Sequence, residues 1–257
     1  MNSSLQLGNF SSAFTQLTFT MNNEYLKNDP EFTEKLTQLL ESYNEANIHL
    51  AYQLMQGGGI PNSLVKRISD DINGKILCLQ YQLTDILRHL SILQIHDTIL
   101  QELPPAIGEL TNLMILELIN NQLTQLPSEI GQLIQLTDLQ IIANNLTQLP
   151  EEMSQLQCLE KLNAYGNQLS AFPMALLELN NLESLNLGGN QISSLPTEMS
   201  RLQNLRHLDI GTNPLDSVAD VLIHMPQLEM LSLSGLKLPK EEWQTLKIKL
   251  PYTQIIR

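Results

Sequence analysis

The chain of 257 residues is poor in aromatic side chains and in cysteine. Aromatic residues make up only 5% of it, whereas leucine occupies 52 positions, about one in five. A core that consists mainly of leucine is typical of repeat proteins, so this composition predicts an internal repeat. The two cysteines, Cys78 and Cys158, have no metal-ligand spacing and no neighbouring Cys or His. They indicate a reduced, cytosolic setting.

Long hydrophobic runs and positive charges are also scarce. No run approaches the ~18 apolar residues that a membrane-spanning helix requires. The first lysine is Lys27, so we expect no secretory signal peptide of the usual kind. The net charge is −13, from 14 basic and 27 acidic residues. Because phosphate binding requires clustered cations, this balance argues against nucleic acid and against anionic membrane surfaces as partners.

The acidic residues are unevenly distributed along the chain. Residues 90–235 contain three basic and sixteen acidic residues, so this stretch has a net charge equal to that of the whole chain. The net charges of the two segments on either side of it therefore cancel.

A leucine recurs every 23 residues and opens a segment of the form L-x-x-L-x-L-x-x-N-x-L-x-x-L-P. The seven opening leucines are Leu90, Leu113, Leu136, Leu159, Leu182, Leu205 and Leu228. The L-x-L alternation places two apolar side chains on one face of a short strand, and successive strands should pair in parallel. The apolar spacing after the proline predicts a helical turn on the opposite side.

The asparagine of each repeat predicts a hydrogen-bonded ladder. A side-chain amide at this turn can satisfy backbone groups that would otherwise be buried without partners. The ladder residues are Asn121, Asn144, Asn167, Asn190 and Asn213. Thr98 and Leu236 replace the asparagine in the first and last repeats, where a ladder residue has only one neighbour.

The repeat resembles the leucine-rich repeat family in its 23-residue intracellular and bacterial type, over about residues 90–240. The resemblance implies an α/β solenoid, with a curved parallel sheet on the concave face, helical turns on the convex face and an N-terminal helical cap. Because one repeat cannot bury its own apolar face, each depends on its neighbours and the ends require caps.

The flanking segments contain few repeat features. Residues 29–56 predict one long helix, with Asp29 as N-cap and Pro30 in its first turn, and three glycines after it. A shorter helix should follow Pro61 and end at Asn73–Gly74. We expect these helices to form a cap that seals the open end of the repeats; the alternative is a separate partner-binding helix.

The next segment, 75–89, resembles a truncated repeat with Cys78 in its strand. Cys158 directly precedes a later strand, and both cysteines fall in sequence typical of repeat core. Strands three or four positions apart are too distant for a disulfide between them. At the carboxyl end, residues 239–250 predict a capping helix, and Ile255 and Ile256 a final strand.

These features predict four parts of the chain. Residues 1–28 form a poorly defined N-terminal segment, 29–74 the helical N-terminal cap, 75–235 the leucine-rich repeats and 236–257 the C-terminal cap.

The sequence contains no pattern that predicts catalysis. Gly57–Gly59 lacks the lysine and the preceding strand of a phosphate-binding loop, and no zinc-site spacing occurs. His207 and Asp209 should share a strand face, but no nucleophile lies beside them. We therefore predict no enzyme activity, no cofactor and no metal.

The outward positions of the strands indicate a protein-binding surface. Large aliphatic and aromatic side chains in the amino-terminal half should form a contiguous exposed apolar patch with a polar rim, which usually marks an interface. The predicted binding residues are Ile92, His96, Ile115, Glu117, Ile119, Asp138, Gln140, Ile142, Lys161 and Tyr165. These isoleucines could instead reflect strand propensity alone, or the N-terminal helices could cover them.

Glycines in the carboxyl-terminal half of the same surface allow two interpretations. Gly188, Gly189, Gly211 and Gly235 either leave room for a partner loop or serve tight turning between repeats. Nearby, Glu160, Glu183 and Glu229 flank the strands and would favour a basic partner.

The resemblance implies a non-catalytic module that binds a partner protein, host or bacterial, through its concave face and is a monomer when free. The sequence resembles leucine-rich-repeat effectors of host-associated bacteria, which sequester, inhibit or redirect a partner such as an enzyme. This implies a cytoplasmic protein, with translocation into the cytosol of a host cell as a further possibility, and without membrane insertion. The alternatives are the substrate-recognition part of a ubiquitin-ligase-type effector and a constitutive cytosolic scaffold. Only 22 residues follow Gly235, which argues against a ligase domain after the repeats unless the chain is a fragment.

Overall fold

The computed structural model describes residues 26–42 and 44–257. They fall into two compact units, with the boundary between Leu87 and Arg88. Most of the N-terminal segment predicted over residues 1–28 lies outside the described residues. Within the described ranges, no helix has both the length and the apolar character needed to cross a lipid bilayer.

The first unit is helical. Its helices are α1 Pro30–Leu40, α2 Glu45–Gly58, α3 Asn62–Asp70 and α4 Ile72–Gln80. Helix α1 begins as predicted, because the Asp29 carboxylate accepts hydrogen bonds from the Glu31 and Phe32 amides at 2.8 and 3.2 Å. Phe32, Leu36 and Leu39 form its buried stripe.

The prediction of one helix over residues 29–56 is wrong. The chain leaves the helix after Leu40 and starts α2 at Glu45. Asn44 has an extended backbone, and its side-chain oxygen accepts from the Asn47 amide at 3.2 Å. Asparagine favours such an N-cap over a position inside a helix, which explains the break.

The helix predicted to end at Asn73–Gly74 ends earlier, and another helix follows. Asp71 terminates α3 and caps α4, since its carboxylate accepts from the Gly74 amide at 2.6 Å. Gly74 lies inside α4, where a β-carbon would come within 2.2 Å of the Ile68 carbonyl oxygen. Glycine therefore permits a close approach of the two helices here instead of ending one of them.

Helix α4 also corrects the predictions for the cysteines. Cys78 lies in this helix and not in a strand, because a short apolar run fits a buried helix as well as a buried strand. It is fully buried, and burial raises the pKa of its thiol to about 12. Cys158 is exposed, so its assignment to the repeat core is wrong, while both thiols are free as expected.

The second unit contains the repeats. Its strands are β1 Ile92–Gln94, β2 Ile115–Glu117, β3 Asp138–Gln140, β4 Lys161–Asn163, β5 Ser184–Asn186, β6 His207–Asp209, β7 Met230–Ser232 and β8 Gln254–Ile256. They form one parallel sheet in sequence order. Equivalent residues of successive repeats pair across β1–β7, as Leu116 with Leu139, so the 23-residue period is also the register of the sheet.

Short 3-10 turns connect most of the strands on the far side of the core. They span Pro105–Glu109, Ser128–Gln132, Glu151–Gln155, Met174–Glu178 and Thr197–Arg201. Each follows a proline in extended conformation, as at Pro127 before Ser128–Gln132. The predicted helical turns are thus present in 3-10 form, and α5, Ala219–Leu222, takes their place in a later repeat.

The predicted asparagine ladder is present. All five asparagines are buried. The Asn144 amide donates to the Leu118 carbonyl of the preceding repeat at 2.7 Å, and its oxygen accepts from the Leu123 amide at 3.1 Å. Asn167 repeats the pattern with Ile141 and Leu146.

The carboxyl end matches its prediction. Helix α6 spans Lys240–Lys249 and follows Pro239, and β8 pairs with β7. Leu246 and Leu250 are buried, which fixes one face of α6 against the last repeats.

Candidate protein-binding surface

The strands place alternate side chains on opposite faces of the sheet. The middle residue of each strand in β1–β7 is a leucine with at most 2% of its surface exposed, as with Leu93, Leu162 and Leu208. The residues before and after it therefore point away from the core. Each repeat adds one residue to three outward columns, which we call the first, middle and last columns along the strand direction.

The first column begins with two isoleucines. Ile92 pairs with Ile115 across β1 and β2, and Ile115 pairs with Asp138. Ile92 is 48% exposed, while Ile115 and Asp138 are half-buried. Lys161 follows on β4 and is exposed. The predicted first-column residues therefore lie in one line across four strands.

The middle column is a polar network. The Gln94 amide donates to Glu117 Oε2 at 2.9 Å, and the Gln140 amide donates to the Asp138 carboxylate. His96 Nε2, in the last column, also lies 2.9 Å from Glu117 Oε2. The ring N–H is not aligned for a hydrogen bond to that oxygen, so the contact is an ion pair when the ring is protonated.

The last column lies just beyond the strand ends. The Asn120 amide donates to the Ile142 carbonyl, and the Ala143 amide to the Tyr165 carbonyl, both at 2.9 Å. These backbone hydrogen bonds place Ile119, Ile142 and Tyr165 next to one another in three successive repeats. The polar middle column separates them from Ile92 and Ile115. The structure therefore has two apolar stretches with polar groups between them, where the sequence predicted one patch.

Tyr165 is the most exposed apolar residue of the last column, at 47%. Its amide donates to Asn163 Oδ1 at 3.1 Å. Its ring lies beside the backbone of the next repeat, where a β-carbon on Gly188 would come within 3.1 Å of Tyr165 Cδ2. Gly189 is similarly close to the ring. The missing glycine side chains therefore make room for the tyrosine ring beside the backbone of the next repeat.

The other glycines of this region favour the interpretation as tight packing. A β-carbon on Gly211 would lie 2.7 Å from the Ser234 carbonyl oxygen. Gly235 has a positive φ of 76°, which favours glycine at that turn. The Gly211 amide donates to Asp209 Oδ1 at 2.9 Å. Asp209 therefore stabilises its own turn.

A groove that the sequence did not indicate lies at the amino-terminal ends of the strands. It has a volume of about 410 Å³. Its lining residues are Thr137, Cys158, Glu160, Asn181, Glu183 and Asn204. These residues occupy two positions of the repeat, one and three residues before a strand, and each position recurs every 23 residues. Aligning the repeats at these two positions would have identified them. Two of the three glutamates that flank the strands, Glu160 and Glu183, line this groove.

Metal-binding geometry is not found in the described part of the chain. No group of three or more His, Cys, Asp or Glu side chains there is arranged to hold a metal ion. What the outward face offers is shape, apolar area and hydrogen-bonding groups, which are the components of a protein-binding surface.

Comparisons with known proteins agree with this geometry. Two family models match, "Leucine-rich repeat region" over residues 77–187 and "Leucine rich repeat" over residues 170–238. A search among curated proteins finds no match.

Many solved structures are similar to this chain. A leucine-rich repeat protein of Leptospira interrogans is 28% identical, with a TM-score of 0.58, over 67% of this chain and 50% of that one. This chain thus spans about half the length of that relative. Internalin C2 of Listeria monocytogenes is 23% identical over 76% of this chain and 81% of that one, with a TM-score of 0.55.

The plant peptide hormone receptor RGFR1, solved in complex with RGF2, is 22% identical over 66% of this chain and 32% of that one, with a TM-score of 0.52. At these identities the internalin and the receptor show the fold alone. The repeat register, the buried asparagine ladder and the two matching models together show that this chain belongs to the leucine-rich repeat family, whose members are typically binding modules without catalytic activity.

Proposed function

We propose that this chain is a non-catalytic module that binds a partner protein through the outward face of its sheet. The observation that carries the proposal is Tyr165, a half-exposed aromatic side chain whose ring is positioned by Gly188 and Gly189 of the next repeat. A tyrosine side chain supplies a large contact area with only two side-chain torsions, so it loses little conformational entropy on binding, which makes it a suitable anchor.

The neighbouring residues support the same surface. Ile119 and Ile142 extend the apolar stretch from Tyr165 towards the amino-terminal repeats, and both are half-buried. The polar rim consists of Glu117, Gln140, Asp138, Lys161 and His96. A partner that covers Tyr165 would therefore exclude water from the apolar centre and meet hydrogen-bonding groups around it.

The charge of the repeats supports a basic partner. Residues 90–235 carry sixteen acidic side chains against three basic ones. Glu160 and Glu183 line the groove beside the strands and are exposed. Such a field would accelerate encounter with a positively charged protein, with an effect that weakens as salt increases.

We further propose that the chain acts as an effector-type protein of a host-associated bacterium, in the cytoplasm or in the cytosol of a host cell. There it would sequester, inhibit or redirect its partner. The similarity to a Leptospira interrogans leucine-rich repeat protein supports the bacterial assignment. The receptor structure in complex with RGF2 supports the use of this fold for binding other polypeptides.

The proposal is tested by capture on the immobilised chain from host and bacterial lysates, followed by mass spectrometry and measurement of Kd for the captured protein. We expect Tyr165→Asp and Ile142→Asp to weaken binding by about 2 kcal/mol or more, roughly thirty-fold, because a buried anchor becomes a desolvated charge. Thermal unfolding should change little for Tyr165→Asp, whose side chain lies outside the core.

The matched control is Ile134→Asp, which introduces the same charge at an isoleucine that is 58% exposed and outside the strands. This variant should bind with nearly unchanged Kd. If Ile134→Asp and Ile142→Asp weaken binding equally, or if Asn186→Ala alone abolishes it, the surface is assigned to the wrong region. Turnover of a substrate by the purified chain would contradict the non-catalytic assignment.

A further inference from the structure

The carboxyl-terminal segment differs in charge from the repeats that precede it. Residues 236–257 contain five basic residues and two acidic ones, a net charge of +3, whereas residues 90–235 have a net charge of −13. The last strand and the helix before it therefore form a positive end on an acidic solenoid. A partner at this end would have charge opposite to that of a partner at the acidic groove.

In the part of the chain that the structure describes, β8 is the last strand of the sheet and one of its edges is open. The Gln254 amide donates to the Glu229 carbonyl, and the Ile256 carbonyl accepts from the Leu233 amide, so these two groups face β7. Because the backbone groups of successive residues in a strand point to opposite neighbours, the N–H and C=O of Ile255 point away from β7, to the open edge. Among the residues that the structure describes, no further strand pairs there.

The preceding strands show what these open groups would bind. Arg257 occupies the position of Leu118, whose amide donates to the Gln140 carbonyl of the next strand at 2.7 Å. Thr253 occupies the position of Met114, whose carbonyl accepts from the Asp138 amide at 3.1 Å. The edge of β8 thus presents a row of donors and acceptors with the geometry of a parallel ladder.

Exposed apolar side chains occur in β8 and in the residues that lead into it. Tyr252 is 95% exposed and lies two residues before β8, and Ile256 in the strand is 37% exposed. Ile248 is 74% exposed because Leu246 and Leu250 bury the opposite face of α6. Side chains of this kind would contact a chain that was added to the sheet.

Positive side chains occur in the preceding helix and at the end of β8. Lys247 and Lys249 flank Ile248 and are exposed. The Arg257 guanidinium lies 4.5 Å from the centre of the Trp243 ring, which holds a further positive charge at the end of β8. A negatively charged partner segment would therefore complement this edge.

We propose that the open edge of β8 binds an extended, acidic segment of a partner protein, which joins the sheet as an additional strand. Backbone hydrogen bonds would supply part of the affinity, Tyr252 and Ile256 would contact its apolar side chains, and the lysines would favour its carboxylates. A second copy of this chain fits less well, since pairing through the same edge would bring two segments of charge +3 together.

The test uses the full chain and a fluorescein-labelled peptide of alternating valine and glutamate, followed by fluorescence anisotropy. We expect saturable binding that weakens at high salt. A peptide of alternating valine and lysine, and the glutamate peptide with N-methylated alternate amides, should each bind at least about ten-fold more weakly. If the glutamate peptide does not bind, or if all three peptides bind alike, the proposal is wrong.

Variants of the chain locate the site. The double variant Lys247→Glu/Lys249→Glu should reduce affinity at least about ten-fold, and Tyr252→Ser should also reduce it. The control Lys66→Glu/Lys75→Glu makes the same change in charge in the helical unit and should leave binding unchanged. Equal loss in the two double variants would assign the effect to net charge and overturn the site.

Two other outcomes would overturn the choice of occupant. Concentration-dependent dimers, detected by light scattering and lost in Lys247→Glu/Lys249→Glu, would identify a second copy as the occupant. Binding of the chain to vesicles of anionic lipid, with none to the glutamate peptide, would identify a membrane surface. Since none of these variants alters Tyr165 or Ile142, failure here leaves the proposed function of the outward face unaffected.

Discussion

At the scale of single residues, the recurring asparagine joins each repeat to its neighbour. Asn144 bonds a carbonyl and an amide of the preceding repeat, at Leu118 and Leu123, and both residues are fully buried. Thr98 replaces the asparagine in the first repeat, and its amide donates to Asn121 Oδ1 at 3.1 Å. The first repeat therefore keeps its bond to the ladder although it lacks the side-chain amide.

Removing one ladder amide should lower stability. We expect Asn144→Ala to reduce the free energy of unfolding by about 1–3 kcal/mol, because two buried backbone groups lose their partners. Urea denaturation followed by circular dichroism measures the effect. Asn145→Ala is the matched control, since the Asn145 side chain lies outside the ladder and accepts from Gln168 on the surface. Equal stability of the two variants would contradict this account of the ladder.

At the scale of elements, Glu242 connects α6 to the start of α5. Its Oε2 accepts from the Val218 and Ala219 amides at 3.1 and 2.8 Å, and its Oε1 accepts from the Ser217 hydroxyl at 2.6 Å. Burial alone would raise the pKa of Glu242, but these hydrogen bonds outweigh it and hold the pKa below the usual 4.5. The carboxylate thus caps a helix from another element.

This cap predicts a pH dependence of stability. A carboxyl group whose pKa is lowered by folding stabilises the protein above its unfolded pKa, and this contribution disappears as pH falls through the folded value. We expect Glu242→Gln to be less stable than the parent chain at neutral pH, with the difference shrinking below about pH 4.5. Urea titrations from neutral to acid pH measure it.

Glu241→Gln is the control for the change in charge, one residue earlier on the exposed surface of the same helix. Its stability relative to the parent chain should not show this pH dependence. A pH-independent difference for Glu242→Gln would indicate that the carboxylate makes no specific contribution to the cap.

At the scale of the whole molecule, the stability of the repeats depends on the number of their neighbours. Strands β3, β4 and β5 each pair on both sides, whereas β8 pairs on one side among the described residues. In a repeat protein each unit is stabilised mainly by its immediate neighbours. The carboxyl-terminal end of the sheet should therefore open more readily than its centre.

Hydrogen exchange measured by mass spectrometry or NMR tests this gradient. We expect the slowest exchange at the amides of β3, β4 and β5 and the fastest, within the strands, at Ile255, whose amide faces the open edge. Uniform protection across the sheet would show that the repeats open as one cooperative unit. Protection of Ile255 in the free chain would indicate that its edge is already covered.

Several features of this protein follow from the sequence by itself. The 23-residue period determines the register of β1–β7, because each repeat places its strand leucines and its asparagine beside the same residues of the next repeat. Repeats are stabilised by immediate neighbours, so their fold depends on short-range patterns that a sequence displays. The same reasoning predicted α6 and β8 and the outward columns that contain Ile92 and Tyr165.

Other features were decided only by the tertiary structure. Cys78 lies in a helix and Gly74 allows two helices to approach closely, and neither follows from a periodic pattern. The position of the Tyr165 ring depends on glycines 23 and 24 residues later in the chain. The Gln94–Glu117 network separates two apolar stretches that share one face. The 23-residue period places Gln94 beside Glu117 and Tyr165 beside Gly188, but which atoms then meet depends on side-chain conformation, and the close approach of Gly74 to Ile68 follows no period. These contacts are decided only when the folded chain brings the side chains within a few ångströms of one another.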